Sequence, residues 1–411
     1  MKIAFVAPFG LGQKTTIWAR TLPLAKELTK LGHQVTILIP PWDTPADSDK
    51  RWQDEGVSLI NVAIHGGLLP TTLRTLHEIY KIQPQIIHIV KPRAHAGIVQ
   101  WLLWQLRRWN IAQFAIRNSQ FVILLDLDDW EQAWAEINHY PRLVAKFLAW
   151  QEEWGIRHAD GITVASRWLE ERVRVYAPHT PVLYLPNGVV LRDKERGRQG
   201  ERAANGDSQF AVLYLTRYVE VEPEWLVRFS SSLHAKIPGA QLIIAGEPLQ
   251  PGREKLFQSA LESVENSAAP LDSRPAIGNL PSAISFLGKV SPQDIEKLYA
   301  SADCAIFPSA TTILQQAKCS VRLATTLLHG VPVIASEVGE QANYGGDGAA
   351  RLVANDASPE LFAQAVVEVL LDPAAQSAML AQARQRLETD YRWSLFGNKL
   401  EGCYRRLIHE N

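Results

Sequence analysis

The sequence predicts two α/β domains, each with a doubly wound parallel sheet. Short apolar runs alternate with amphipathic stretches through the first half of the chain, a charged stretch interrupts them, and the alternation then restarts. Alternation of this kind is typical of parallel sheets, because a parallel strand needs a crossover connection, usually a helix. A chain of 411 residues is long enough for two or three such domains.

The charged interruption sets the expected domain boundaries. Residues 191–208 are polar and nearly free of large apolar side chains, which indicates an exposed linker. We therefore expect an N-terminal domain over residues 1–190 and a C-terminal domain over 209–390. Residues 391–411 should form a closing segment that contains an amphipathic helix.

The apolar runs are the expected strands, since such runs are typical of strands buried on both faces. In the N-terminal domain they are Lys2–Ala7, Gln34–Ile39, Val57–Val62, Ile86–Val90, Phe121–Asp126, Gly161–Val164 and Val182–Leu185. In the C-terminal domain they are Phe210–Leu215, Gln241–Ala245, Ile284–Leu287, Cys304–Phe307, Val331–Ala335 and Ala350–Val353.

Two helices have recognisable ends. The first should run from about Thr16 to Leu31, with a threonine at its start and Gly32 after its end. The second precedes Gly330, which can end it in a left-handed conformation, and three of its leucines share one apolar face.

Composition excludes several classes of function. Lys and Arg number 42 against 43 for Asp and Glu, so the net charge of −1 gives no electrostatic case for nucleic acid. The three cysteines, Cys304, Cys319 and Cys403, lack metal-ligand spacing and suit a reducing compartment.

The chain has no run of about 18 apolar residues and no signal-like start, so we expect a cytoplasmic protein. Trp101–Trp109, which mixes Trp with Arg, is a candidate for peripheral contact with the inner face of the membrane.

The loop after the first strand is glycine-containing. Gly10 and Gly12 form a G-x-G, but Thr15 stands at the third glycine of the dinucleotide fingerprint, and the spacing also fails for a phosphate-binding P-loop. An oxidoreductase or epimerase would need an acidic residue at the end of the second strand, which ends in Ile39-Pro40. What remains is a loop and helix N-terminus that could face an anion, or a plain tight turn.

Charged residues follow two other expected strands. Asp126 and Asp128 could hold a divalent cation, cap the next helix, or recognise an acceptor or sugar, and we favour recognition with no metal. Lys91, Arg93 and His95 could hold an anionic acceptor or remain solvated loop charges.

Three motifs resemble those of family 4 glycosyltransferases, which are retaining enzymes of the GT-B fold. Cys319–Ser336 resembles the donor-site helix and strand of that family, LPNGV at Leu185–Val189 resembles its interdomain hinge, and YLTRY at Tyr214–Tyr218 resembles its arginine-bearing segment. The resemblance spans nearly the whole chain. It implies two Rossmann-like domains facing across a cleft, with the C-terminal helix crossing back to the first domain.

The resemblance also implies a set of donor-binding residues. Arg217 would pair with the donor diphosphate, and the backbone around Gly288 and Lys289 would recognise the nucleotide base, while Gly10 and Gly12 would approach the donor. The glutamate pair usual in the family falls on Ala317 and Thr325, and neither residue is acidic. Lys318 and Arg322, four residues apart on one expected helical face, would supply charge to the diphosphate, and Thr325 one hydroxyl.

The sequence therefore predicts transfer of a sugar from a nucleotide-diphosphate sugar to a hydroxyl of a saccharide or lipid-linked acceptor, in glycan, polysaccharide or glycolipid synthesis. Asp126 and Asp128 are the candidate catalytic residues, and Lys91, Arg93 and His95 the acceptor-side residues. No cofactor other than the co-substrate nucleotide sugar is expected. The alternative is a degenerate, non-catalytic GT-B protein that binds a sugar or a partner.

Overall fold

The computed structural model describes residues 1–12, 16–109, 121–191, 210–267 and 284–410. The chain divides into two compact units. The first unit contains Met1–Val190, Gln316–Cys319 and Tyr391–Asn411, and the second contains Leu191–Gln315 and Ser320–Asp390. Apart from Leu191, the expected linker over 191–208 lies outside the described residues.

The first unit is built on an eight-stranded sheet. Its strands are β1 Lys2–Val6, β2 Gln34–Ile39, β3 Arg51–Asp54, β4 Val57–Asn61, β5 Ile86–Val90, β6 Val122–Leu127, β7 Gly161–Val164 and β8 Val182–Tyr184. They lie in the order β3-β4-β2-β1-β5-β6-β7-β8. All neighbours are parallel except β3 and β4, which are antiparallel.

Helices cover this sheet. They are α1 Leu22–Lys30, α2 Leu68–Ile82, α3 Ala94–Arg108, α4 Glu131–Ile137, α5 Arg142–Arg157 and α6 Arg167–Tyr176, with a last helix, α15, at Trp393–Glu410. A π-helical turn, Ile17–Thr21, runs directly into α1. All residues of β5 and β6 are buried, as expected for parallel strands with helices on both faces.

The second unit has a six-stranded parallel sheet in the order β11-β10-β9-β12-β13-β14. Its strands are β9 Ala211–Leu215, β10 Gln241–Ala245, β11 Ile284–Phe286, β12 Cys304–Phe307, β13 Val333–Ser336 and β14 Arg351–Val353. Its helices are α7 Pro223–Lys236, α8 Arg253–Ser267, α9 Pro292–Ser301, α10 Ile313–Ala317, α11 Arg322–Leu328, α12 Gly339–Gly345, α13 Pro359–Leu371 and α14 Pro373–Asp390.

Every predicted strand is present, and no strand end differs from its predicted position by more than two residues. Gly330 follows α11 with φ +75°, which confirms the predicted left-handed stop. Strand β3 was missed because its four residues, RWQD, form no apolar run and are half-buried or exposed at the sheet edge. The expected helix from Thr16 is α1 preceded by the π-helical turn.

The C-terminal helix α15 packs in the first unit against α1 and the sheet. Tyr404 is fully buried there, and its Oη lies 2.7 Å from Nδ1 of His88 on β5. His88 Nε2 lies 3.3 Å from Thr163 Oγ1, whose own proton is donated to Asp126. His88 must therefore donate from Nε2 and accept from Tyr404 at Nδ1. Burial lowers the pKa of His88 to about 4, so the ring is neutral.

No helix in the part of the chain that the structure describes combines the length and low polarity of a membrane span.

Replacing Tyr404 with Phe tests this docking. The change removes one hydroxyl and leaves a buried ring nitrogen of His88 without its donor, which should lower the free energy of unfolding by about 1–3 kcal/mol. Urea unfolding followed by tryptophan fluorescence measures the loss. Tyr80→Phe is the matched control because Tyr80 is 43% exposed; equal midpoints for the two variants would contradict the assignment.

Candidate functional site

A buried ion pair lies at the carboxyl end of β6. Arg20, in the π-helical turn, donates to both carboxylate oxygens of Asp126, from Nη2 at 2.6 Å and from Nε at 2.8 Å. Thr163 on β7 donates to Oδ1 at 2.6 Å. Asp126 is 3% exposed and Arg20 1%. The Arg20 charge holds the pKa of Asp126 below its ordinary value although burial alone would raise it.

These contacts give Asp126 a structural role, and its expected contact with a substrate stays a prediction. Its polar contacts are all internal, and its position inside the sheet makes it the structural counterion of Arg20. The D-x-D pair is also divided, since Asp126 faces Arg20 while Asp128 faces Lys91.

Arg20 also fixes the chain after β8. Its Nη1 donates to the Leu185 carbonyl at 2.7 Å and to Asn187 Oδ1 at 3.2 Å. The Asn187 amide then donates to the Cys319 carbonyl at 2.8 Å. The Asn-Gly motif is thus a buried junction of the first unit, and Gly188 is required there because a Cβ would lie 2.5 Å from the Trp393 ring.

A cluster of acids surrounds Lys91 beyond β5. Its ammonium lies 2.9 Å from Asp128, 2.9 Å from Asp129 and 3.3 Å from Glu131. Arg93 pairs with the same Glu131 and donates to the Tyr140 hydroxyl. The expected basic pair is therefore not open to an anion, because carboxylates outnumber the cations around it.

His95, an expected acceptor-side residue, makes an internal contact. It lies in α3, is fully buried, and donates from Nε2 to the Ala7 carbonyl at 2.8 Å. Burial lowers its pKa to about 4. It is a neutral structural histidine that ties α3 to the end of β1.

Asp128 is the acid of this cluster with an incomplete set of contacts. Its Oδ1 is buried and accepts no hydrogen bond from the described residues, although the Lys91 ammonium is near. Burial, with the charges of Asp129 and Asp126 added, outweighs the attraction of Lys91 and raises the pKa of Asp128 to about 6. A carboxyl whose pKa is raised in this way is suited to accept a hydrogen bond or a proton near neutral pH.

The glycine loop after β1 closes on an aspartate. The Gly12 N–H donates to Asp43 Oδ2 at 2.9 Å, and a Cβ on Gly10 would lie 2.1 Å from Asp43 Oδ1. Residues 13–15 lie outside the described part. The close approach of Asp43 explains the glycine at position 10, and the expected contact of this loop with a donor stays a prediction.

In the second unit, Glu220 organises the loop that follows β9. Its Oε2 accepts from the Thr216 hydroxyl at 2.9 Å and from the N–H groups of Arg217 and Val219, each at 3.1 Å. Its Oε1 accepts from Arg322 Nη2 at 2.7 Å. One buried carboxylate therefore fixes both the loop and the arginine of α11.

The two arginines beside Glu220 differ in their contacts. Arg322 is paired, because its Nη1 also donates to the Leu215 carbonyl at 2.8 Å. The half-buried Arg217 guanidinium has no ion pair or hydrogen bond among the described residues. Burial and the neighbouring Arg322 charge both lower the pKa of Arg217. An anion bound at Arg217 would relieve this repulsion.

Lys318 does not share a helical face with Arg322, which corrects that expectation. It lies between α10 and α11, in a non-helical stretch where the Cys319 carbonyl accepts from Asn187 instead of a helical N–H. Ala317, next to it, is fully buried in the core of the first unit. Lys318 belongs to the first unit and Arg322 to the second.

The remaining donor candidates lie at element ends. Gly288 follows β11 with φ +58°, and its carbonyl accepts from the Gly246 N–H at 2.8 Å. Lys289 lies 3.2 Å from Glu247 at the surface. Thr325 lies in α11, with its side chain half-buried.

Sequence reasoning missed Arg20, Asp43 and Glu220. Arg20 sits in an amphipathic stretch where a solvated arginine is the usual reading, and Asp43 follows a Pro-rich turn. Glu220, three residues after Arg217, gave no signal of its own. Only tertiary contacts distinguish these residues from ordinary surface charges.

Asp126→Asn tests the buried pair. It leaves the Arg20 charge buried without its counterion, which should cost about 3–5 kcal/mol in the free energy of unfolding. Glu153→Gln, which breaks an exposed pair with Arg157, should cost less than about 1 kcal/mol. Chemical unfolding of both variants checks this, and comparable small losses would contradict the structural role of Asp126.

Two family models match the chain in succession. The Glycosyl transferase 4-like domain matches residues 15–188, and the Glycosyl transferases group 1 domain matches residues 209–372. A curated relative is the GDP-mannose-dependent monoacylated alpha-(1-6)-phosphatidylinositol monomannoside mannosyltransferase of Corynebacterium glutamicum. It is 23% identical over 251 residues, which are 59% of this chain and 61% of that protein. The match thus spans about three fifths of the relative's length.

Solved structures give the same fold over the full length. Sucrose-phosphate synthase from Thermosynechococcus elongatus has a TM-score of 0.70 at 18% identity and covers 100% of both chains. Anabaena HepE in complex with UDP and glucose has a TM-score of 0.64 at 14% identity, covering 99% of this chain and 100% of that one. These likenesses confirm the predicted two-domain GT-B fold. The chain thus contains a Glycosyl transferase 4-like domain followed by a Glycosyl transferases group 1 domain.

Proposed function

We propose that the protein transfers a glycosyl group, with retention, from a nucleotide-diphosphate sugar to a hydroxyl of a saccharide or lipid-linked acceptor. The observation that carries this proposal is the unpaired Arg217 guanidinium in the second unit, held on a loop that Glu220 orders. The mannosyltransferase relative uses GDP-mannose, and HepE is described with UDP and glucose. These names support the substrate class and not a particular sugar or base.

Arg217 is the proposed receptor for the donor diphosphate. A planar guanidinium can give two parallel hydrogen bonds to phosphate oxygens. As the glycosidic bond breaks, negative charge develops on the departing diphosphate, and a fixed guanidinium stabilises it. Since Arg217 supplies this charge, the proposed reaction uses no metal ion.

Glu220 and Arg322 are proposed as positioning residues for Arg217. Glu220 holds the Arg217 backbone and also pairs with Arg322, so that Arg322 does not compete with Arg217 for the same ligand atoms. Lys318, Gly10 and Gly12 keep their expected roles near the donor. Gly288, Lys289 and Thr325 are likewise proposed to contact its nucleotide and sugar parts.

Asp128 is the proposed acceptor-side group of the first unit. Its raised pKa and its oxygen without a hydrogen bond suit it to accept from a sugar or acceptor hydroxyl. Lys91 and Arg93 would act through Asp128 and Glu131 by fixing the acid cluster, and not by binding an anion themselves.

A second candidate is a non-catalytic GT-B protein that binds a sugar or a partner. The observation in its favour is Ala317, which is fully buried in the apolar core at one expected glutamate position. Thr325, at the other position, is not acidic. If this second candidate is right, the protein binds a nucleotide-sugar donor but neither hydrolyses it nor transfers its sugar.

Arg217→Ala should weaken nucleotide-diphosphate binding at least tenfold, because a charge-assisted hydrogen bond contributes about 1.5–3 kcal/mol. Isothermal titration with UDP, GDP and ADP measures the affinity. Arg228→Ala is the control, since Arg228 pairs with Glu360 at the surface of the same unit. Equal affinities of the Arg217 variant and the wild type would refute the receptor, and binding without donor hydrolysis or transfer would favour the non-catalytic candidate.

The pH dependence of transfer tests Asp128. If its carboxylate form is needed, kcat/KM should rise as the pH increases through about 6, since the group is protonated below that value. Asp128→Asn should lower kcat/KM and remove this rise. Asp54→Asn, which alters a half-buried acid paired with Lys26, should leave the profile unchanged. A wild-type rise retained in the Asp128 variant would rule Asp128 out.

A further inference from the structure

The first half of α5 exposes apolar side chains on one side. Leu143 is 82% exposed, Val144 43%, Phe147 39% and Trp150 45%. Residues spaced by three or four positions share a helix face, so these four form one surface, the α5 face. A contiguous group of exposed apolar side chains usually marks a contact with another molecule or a membrane.

The charged side chains in the first half of α5 are of one sign. No Asp or Glu occurs between Ile137 and Gln151, whereas Arg142 and Lys146 lie within that stretch and are exposed. Neither cation forms an ion pair with a described residue. Leucine, phenylalanine and tryptophan beside unpaired cations on one helix are typical of helices that lie in a lipid–water interface.

The aromatic members of the α5 face are anchored in a row of rings. Phe147 stacks on Trp150 at 5.9 Å between centroids, and Trp150 lies 6.2 Å from Trp154. Trp154 in turn meets Trp104 of α3 edge-on at 5.6 Å. Because neighbouring rings already restrain Phe147 and Trp150, these side chains lose little conformational freedom when they contact another molecule or a membrane.

We propose that the α5 face binds the surface of an anionic lipid bilayer. The exposed Leu, Val, Phe and Trp side chains would enter the boundary of the acyl chains, while Arg142 and Lys146 contact phosphate headgroups. A second copy of this chain fits less well, because a two-fold contact would bring the like charges together. Four side chains are also far fewer than the twenty or more that a stable interface uses on each side.

The sequence indicated membrane contact at Trp101–Trp109, whereas the proposed membrane contact is on the neighbouring helix, α5. Trp104 packs edge-on against the stacked rings of Trp154 and His158, with the Arg108 guanidinium over its own ring, and so supports the α5 face. Trp109, 69% exposed at the end of α3, remains a predicted additional contact.

Vesicle co-sedimentation of the full chain tests the proposal. Vesicles of phosphatidylglycerol and phosphatidylcholine should bind the protein, and pure phosphatidylcholine should bind it much more weakly. Arg142→Gln with Lys146→Gln should lower partitioning about 25-fold at low salt, because each cation contributes about fivefold. Leu143→Glu with Phe147→Glu should abolish it.

Matched controls separate lipid binding from misfolding and self-association. Leu361→Glu changes a leucine of the second unit that is 62% exposed, and it should leave partitioning unchanged. All variants should melt within a few degrees of the wild type, since the altered side chains are exposed. Unchanged binding in the α5 variants, or equal binding to both vesicle types, would overturn the proposal. A wild-type dimer in light scattering that Leu143→Glu dissociates would assign the α5 face to a second copy instead.

Discussion

The buried pair of Arg20 and Asp126 is the interaction on which the first unit depends. Its guanidinium reaches the strand end of β6, the chain after β8 and, through Asn187, the backbone of Cys319. Its carboxylate is the acceptor at the end of a hydrogen-bond chain from Tyr404 through His88 and Thr163. Segments distant in sequence therefore meet at one charge pair, and each partner is costly to remove because the other would remain buried and unpaired.

The second unit uses a single acid in a comparable way, with a different consequence. Glu220 neutralises Arg322 and fixes the Arg217 backbone, yet leaves the Arg217 guanidinium without a partner. In the first unit, charge compensation is complete at Asp126 and incomplete at Asp128. Arg217 and Asp128 each combine a perturbed pKa with incomplete hydrogen bonding. They are therefore better candidates for function than their fully paired neighbours, Arg322 and Asp126.

Local pattern predicted the fold because buried parallel strands require apolar runs and their crossovers require amphipathic helices. Strand β3 was not predicted, because an antiparallel edge strand that is partly exposed needs no apolar run. Lys318 was expected in a helix because of the resemblance to the donor-site helix, whereas the hydrogen bond from Asn187 to the Cys319 carbonyl replaces a helical one. A tertiary contact interrupts the helix at this point.

The sequence by itself determined the two α/β domains, the glycine stop at Gly330 and the charged residues at the strand ends. These follow from periodicity and backbone sterics, which act over a few residues. Tertiary structure alone decided which charges are paired, since a partner such as Arg20 for Asp126 or Glu220 for Arg322 is more than a hundred positions away. Burial and pairing set the pKa and the availability of each group, and so the candidate roles depend on contacts that no local pattern encodes.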